Sequence, residues 1–185
     1  MSSDISETRI RILEAALHLL EASRGTGVRM TDIARQAGIS RQAVYLHFST
    51  RAALLIATTR YLDEIKGVEE RLAPSRAAAT GTDRLDAFIE AWGNYIPEIY
   101  GIAKALLAMR DTDEAAAEAW DERMQAVRHG CEAAIAVLND DGRLSPGYLP
   151  DRATDILWTM LSVRNWEQLT IDCGWPQATY IDTLQ

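Results

Sequence analysis

AGISRQAVYLHF occupies Ala37–Phe48, and TDIARQ, Thr31–Gln36, leads into it. Two short segments at helical spacing are joined by one glycine. Ile33, Ala34 and Ala37 share an inner face of the first, and Gly38 stops it, because glycine takes the left-handed backbone that a tight turn needs. Ser40 offers a hydroxyl to the free N–H groups that open the second segment. The spacing therefore predicts a helix over about Thr31–Ala37, a turn, and a capped helix beginning after Ser40. This is the helix-turn-helix arrangement, in which the second helix can enter a major groove while the first crosses the phosphate backbone.

The side chains of that second helix divide by character. Ala43, Val44 and Phe48 supply small or apolar packing atoms, leaving Arg41, Gln42, Tyr45 and His47 to face outward. Arginine pairs bidentately with guanine and glutamine with adenine, while tyrosine and histidine donate to phosphate. Arg51 adds a cation at the start of the following helix, whose N-terminus itself favours phosphate. By residue type alone, the helix suits a solvated surface as well as a DNA-facing one.

Charge narrows the choice. The 185-residue chain has a formal net charge of −8. Its first 60 residues nevertheless hold eight arginines against five acidic residues, leaving −11 on the remainder. An acidic protein can bind nucleic acid when its cations gather on one small module, and the acidic remainder then discourages contact elsewhere.

Hydrophobic spacing reads as helix along nearly the whole chain. Ile10, Leu13, Ala16, Leu17 and Leu20 share a face of a first helix, with Ser6 as its N-cap and the Gly25–Gly27 region as its end. Ser49 or Thr50 caps a fourth helix running to about Arg71, and APSRAAATGT, Ala73–Thr82, reads as a loop. Helices follow over Asp83–Ile96, Glu98–Arg110, Asp113–Asn139 and Pro150 to about Cys173, with Pro97 expected to interrupt or kink the chain between the first two. NDDGRLSPGYLP, Asn139–Pro150, is a further loop, and a short helix after GWP runs to Leu184. No alternating strand pattern or internal repeat occurs. The fold class is all-α: an N-terminal helix-turn-helix domain, residues 1–50, and a C-terminal helical domain, residues 51–185.

The stretches RIRILEAALHLL, TDIARQAGIS and RQAVYLHFSTRAALL, together spanning Arg9–Leu55, resemble the DNA-binding domain of the TetR family of transcriptional regulators. The resemblance implies a homodimer whose paired recognition helices read an operator with twofold symmetry. It also implies phosphate contacts for Tyr45, His47 and Arg51. With Arg29, Thr31, Arg41, Gln42 and Ala43, these form the expected DNA-binding set. Members often carry Thr or Ser where this chain has Arg29, so the cap of the second helix must come from elsewhere, with Thr31 as the candidate. Many also carry Glu where this chain has Ala52.

The rest of the chain is similar to the family's ligand-binding and dimerisation region, most clearly in DILWTMLSVRNWEQLTIDCGWPQATYIDTL, Asp155–Leu184. Ile156, Leu157, Met160, Leu161, Val163, Trp166 and Leu169 are more apolar positions than one narrow core stripe uses. A second subunit packed against the last two helices is the simplest way to bury the excess. Trp92, Tyr95, Ile96, Ile99 and Tyr100 cluster about Pro97. With Met109, Trp120, Met124 and Trp158 they are the candidates for an apolar effector pocket. Each taken singly reads more readily as core, and the cavity rests on the family resemblance.

Catalytic patterns are absent from the sequence. His18, His47 and His129 have no metal-spaced partners, and there is no HExxH, GxSxG, P-loop or GxGxxG. Glu69–Glu70 and Asp140–Asp141 are adjacent pairs that project in different directions. Cys131 and Cys173 suggest neither a disulfide framework nor a zinc site. No apolar run approaches the roughly 20 residues of a membrane span, and MSSDISETRI lacks a signal-peptide core. The expectation is a cytoplasmic, ligand-responsive repressor without catalytic activity, metal or cofactor. A ligand-dependent activator and a helical protein–protein adaptor are the alternatives.

Overall fold

A computed structural model describes residues 2–23 and 27–185, and every described element is helical. The helices are α1 (Ser2–Ser23), α2 (Met30–Gln36), α3 (Arg41–His47), α4 (Arg51–Ile65), α5 (Val68–Ala77), α6 (Gly81–Met109), α7 (Glu114–Asp140), α8 (Pro150–Met160), α9 (Val163–Trp166) and α10 (Gln177–Leu184). A wider π turn, Glu167–Asp172, continues α9. No helix among the described residues is long and apolar enough to cross a membrane.

Two compact units share the chain. The first takes residues up to Lys66 together with Gly101–Arg123, and the second takes Gly67–Tyr100 with Met124–Gln185. In the first, α1 packs on α2 and α4, and α2 packs on α3. Ile12, Leu13, Ala16, Leu20, Ile33, Val44, Phe48, Leu54 and Leu55 fill its core. Ile10 lies 40% exposed and Ile12 is fully buried, so the inner stripe of α1 is rotated from the expected one. Ser6 lies inside α1 and is not its N-cap. The expected glycine stop at Gly25 falls outside the described residues.

The expected fourth helix is shorter than its apolar pattern suggested. It ends at Ile65, and Gly67, at φ +64°, turns the chain into α5. Much of the expected Ala73–Thr82 loop is α5 and the start of α6, leaving only residues 78–80 between them.

Pro97 does not divide its helix. The residue lacks the N–H that would bond the Gly93 carbonyl one turn back. That carbonyl instead accepts Gln177 Nε2 at 2.8 Å, and Gln177 Oε1 accepts Trp166 Nε1 at 2.9 Å. With the orphaned acceptor satisfied, α6 continues through the proline.

The expected helix from Pro150 to Cys173 is broken instead. The chain leaves α8 after Met160, and Ser162 caps α9 by accepting from Asn165 N at 3.2 Å. Helix ends leave carbonyls without partners. Here Asn165 Nδ2 donates to Thr159 O, Tyr180 Oη to Met160 O at 3.0 Å, and Trp92 Nε1 to Leu161 O at 3.0 Å. Three side chains thus satisfy the carbonyls freed at the break.

Candidate nucleic-acid interface

The turn between α2 and α3 is built from local chemistry. Gly38 takes φ +68°, and the two N–H groups that close the end of α2 follow the Schellman pattern: Gly38 N to Arg35 O at 3.2 Å and Ile39 N to Ala34 O at 3.0 Å. Ser40 Oγ accepts from Ala43 N at 3.0 Å, which starts α3 as expected. Thr50 does the same for α4, accepting from Ala53 N at 3.0 Å. Helix α2 has no side-chain cap. Arg29 occupies its N-cap position and bonds the helix only through its carbonyl, which accepts from Asp32 N and Ile33 N; Thr31 lies inside the helix, so the expectation of a Thr31 cap is corrected.

Val44 and Phe48 anchor α3 in the core of the first unit. Arg41, Gln42 and Tyr45 are exposed, whereas Ala43 and His47 are half-buried. Arg41 lies over the Tyr45 ring at 5.5 Å and directs Nη2 to its hydroxyl at 3.4 Å. The pair forms one pre-arranged donor ridge along one side of the helix. The far end of α3 is fastened by Arg9, whose guanidinium stacks over Phe48 at 4.3 Å and donates to His47 O at 3.2 Å.

Five of the eight expected DNA-facing residues line one open cleft of about 540 Å³: Arg29, Thr31, Arg41, Tyr45 and Arg51. Gln42, Ala43 and His47 do not line it. Arg51 is not simply presented to solvent there. Its Nε donates to Val28 O and its Nη1 to Asp113, which lines the same cleft. Asp113 was not singled out in the sequence, because it lies 62 residues from Arg51 and at the start of another helix.

The nine residues expected around an effector divide between the two units. Met109 and Trp120 belong to the first and are buried. Trp92, Tyr95, Ile96, Ile99, Tyr100, Met124 and Trp158 belong to the second. Trp92 and Tyr95 meet edge to face at 5.6 Å, and the Trp92 indole N–H serves the end of α8. Tyr100 packs on Trp166 at 5.1 Å and donates its hydroxyl to Glu167. Trp166, Glu167 and Gln177 therefore join the aromatic cluster; the sequence pattern places Trp166 among the surplus apolar positions and singles out neither Glu167 nor Gln177. Cys131 lies buried, and burial pushes its thiol up to about 12, so it is a packing group rather than a nucleophile.

A capped, cation-bearing second helix held across a glycine turn defines a helix-turn-helix regulator. Residues 12–58 match the family described as bacterial regulatory proteins, tetR family. Over 162 residues the chain is 30% identical to the HTH-type transcriptional regulator CymR of Pseudomonas putida, covering 84% of this chain and 75% of that protein. Among solved structures it is similar to the transcriptional regulator FadR of Bacillus subtilis in complex with stearoyl-CoA. That match has a TM-score of 0.74 at 15% identity and covers 95% of this chain and 94% of the other. A transcriptional regulator of Saccharomonospora viridis in complex with choline gives a TM-score of 0.71 at 18% identity, with 97% and 94% covered. The chain belongs to the TetR family of transcriptional regulators.

Proposed function

We propose that the chain is a homodimeric repressor that binds a twofold-symmetric operator and is released by a small molecule. The observation that carries the DNA reading is α3 itself. It is capped by Ser40, anchored by Val44 and Phe48, and presents Arg41, Gln42 and Tyr45 outward with no carboxylate on the helix. In this reading Gln42 and Arg41 contact bases. Ala43 allows close approach, and Tyr45, His47, Arg51, Arg29 and Thr31 serve the backbone.

Residues 1–50 take the DNA-reading role and residues 51–185 bind effector and dimerise. The last helices supply the dimer surface, a reading supported by apolar side chains left exposed at Ile156 and Ile171. The candidates in the second unit, Trp92, Tyr95, Ile96, Ile99, Tyr100, Met124 and Trp158, receive a largely apolar effector. The stearoyl-CoA and choline carried by the two similar structures support ligand control but do not identify the ligand. The work is regulatory rather than catalytic, and its place is the cytoplasm, where the operator is.

Release follows from linkage. A ligand that binds better to a conformation whose recognition helices no longer match successive major grooves lowers DNA affinity by the same coupling factor. Matching half-sites lie ~34–36 Å apart or a multiple of that.

Selection from a random duplex pool tests this reading, because it yields the site and its symmetry together. A palindromic consensus bound in a salt-dependent manner supports it. Failure to retain any duplex at low salt, with the dimer intact, returns the fold to the role of a protein–protein adaptor. DNA affinity that rises with effector makes it an activator.

A further inference from the structure

Leu46 is 84% exposed, the highest value among the exposed large apolar side chains of the described residues. Its place on α3 is what makes that exposure informative. At roughly 100° per residue, Leu46 stands about 200° round the helix from both Val44 and Phe48. Those two residues are fully or almost fully buried, at 0% and 3%. Leu46 therefore points directly away from the core, along the outermost line of the helix. Gln42, one turn earlier, lies on the same line. The Arg41–Tyr45 ridge runs along one flank, and His47 lies on the other with its carbonyl tied to Arg9.

An apolar side chain at the centre of a face of donors has one apolar counterpart in the major groove, the C5-methyl of thymine. An A·T pair displays that methyl beside the adenine N6 and N7 that a glutamine amide recognises. We propose that Leu46, one α-helical turn after Gln42, is a specificity-determining residue that packs on a thymine methyl in each half-site. This rests on the DNA-binding reading above and adds a base identity to it. The outer line of α3, Gln42 followed by Leu46, then demands A·T pairs at two places, while the Arg41–Tyr45 flank serves guanine or phosphate.

Replacing single thymines by deoxyuridine removes the methyl and leaves every hydrogen-bonding group in place. On the duplex selected by the full chain, each thymine of both half-sites is exchanged in turn and binding is measured with wild type, Leu46→Ala and Gln42→Ala. At one symmetry-related position, wild type loses about fourfold per methyl removed. Leu46→Ala, which removes the contact from both half-sites of the dimer, loses a similar factor per half-site on the unmodified duplex and becomes indifferent to uracil at that position. Gln42→Ala keeps the uracil effect there. Restoring the methyl with 5-methylcytosine in place of cytosine at the same position favours wild type over Leu46→Ala. Leu46 is solvent-facing, so the variant keeps its fold, which its melting temperature checks.

A selected site at which no uracil effect is erased by Leu46→Ala overturns the proposal and leaves the DNA-binding reading standing. So does full DNA affinity in Leu46→Ala, which assigns the residue to a protein partner or to none. A chain that selects no duplex overturns both.

Discussion

Arg51 Nη1 lies 2.6 Å from each carboxylate oxygen of Asp113, while its Nε donates to Val28 O at 2.7 Å. The side chains are 23% and 21% exposed, so the pair is largely withdrawn from water. Asp113 also accepts from Ala116 N at 3.2 Å and so caps α7. One carboxylate thus holds a cation at the start of α4 and the first turn of another helix.

Loss of Asp113 leaves a partly buried guanidinium without its partner and a helix end without its acceptor. Asp113→Ala is expected to lower unfolding free energy by about 2–4 kcal/mol, the exposure of the pair reducing the cost below that of a fully buried one. Asp113→Asn keeps a capping acceptor and loses about 1 kcal/mol less. Urea unfolding of the two variants beside wild type checks the order, and an alanine variant as stable as wild type would mean that the pair contributes nothing net.

Acid weakens the same contact. Burial pushes the Asp113 carboxyl up. The hydrogen bond and charge of Arg51, with the N–H groups of Ala116 and Ala115, outweigh that and hold it below its ordinary value. A depressed folded value means stability that is present above the unfolded pKa of ~3.9 and lost as pH falls through the folded one. The stability gap between wild type and Asp113→Asn should therefore narrow as pH drops below ~4. A gap that stays constant down to pH ~2 would exclude this linkage.

Salt dependence reports on Arg51 at the DNA. Arg51→Ala is expected to reduce the slope of log K against log salt by about one, and Asp113→Asn to steepen it by up to about one as the cation loses its internal partner. Identical slopes for all three proteins would remove Arg51 from the phosphate contacts.

Gln42 is exposed on the outer line of α3. Gln42→Ala should cost roughly 1–3 kcal/mol on the preferred duplex and relax preference at one position per half-site. Uniform weakening across all sequences would reassign it to the backbone.

Gln177 bonds the carbonyl that Pro97 leaves without a helical donor, and it also accepts from Trp166. Gln177→Ala should cost about 2–4 kcal/mol through two unsatisfied groups. In a Pro97→Ala background, the restored N–H can bond Gly93 O, so the cost should fall by about 1 kcal/mol. Strict additivity of the two substitutions in thermal or urea unfolding would refute the compensation.

The contrast between these sites explains what could be read from sequence. The helix-turn-helix was legible because its determinants are local: Gly38 turns, Ser40 and Thr50 cap, and each acts within four residues of itself. Continuity through Pro97 was not legible, because the donor that permits it lies 84 residues away from the carbonyl it serves. The break after Met160 was hidden for a similar reason. Two of its freed carbonyls are met by Trp92 and Tyr180, which lie 69 and 20 residues away along the chain. Among the expected DNA-facing residues the types were readable, but the pairing of Arg51 with Asp113 depends on a contact across 62 residues. The aromatic residues near Pro97 were recognisable as a cluster. Their partners Trp166, Glu167 and Gln177 enter only through the folded chain.

Arg9 makes the recognition helix less portable than its seven residues suggest. A guanidinium on α1 covers Phe48 and holds the carbonyl of His47, so the tilt at the end of α3 is encoded some forty positions upstream of the side chains that it aims. Transplanting residues 40–48 into a related scaffold would carry the base-contacting alphabet without the strap that orients it. The smallest exchangeable unit of specificity in this protein is discontinuous, and it includes Arg9 on α1.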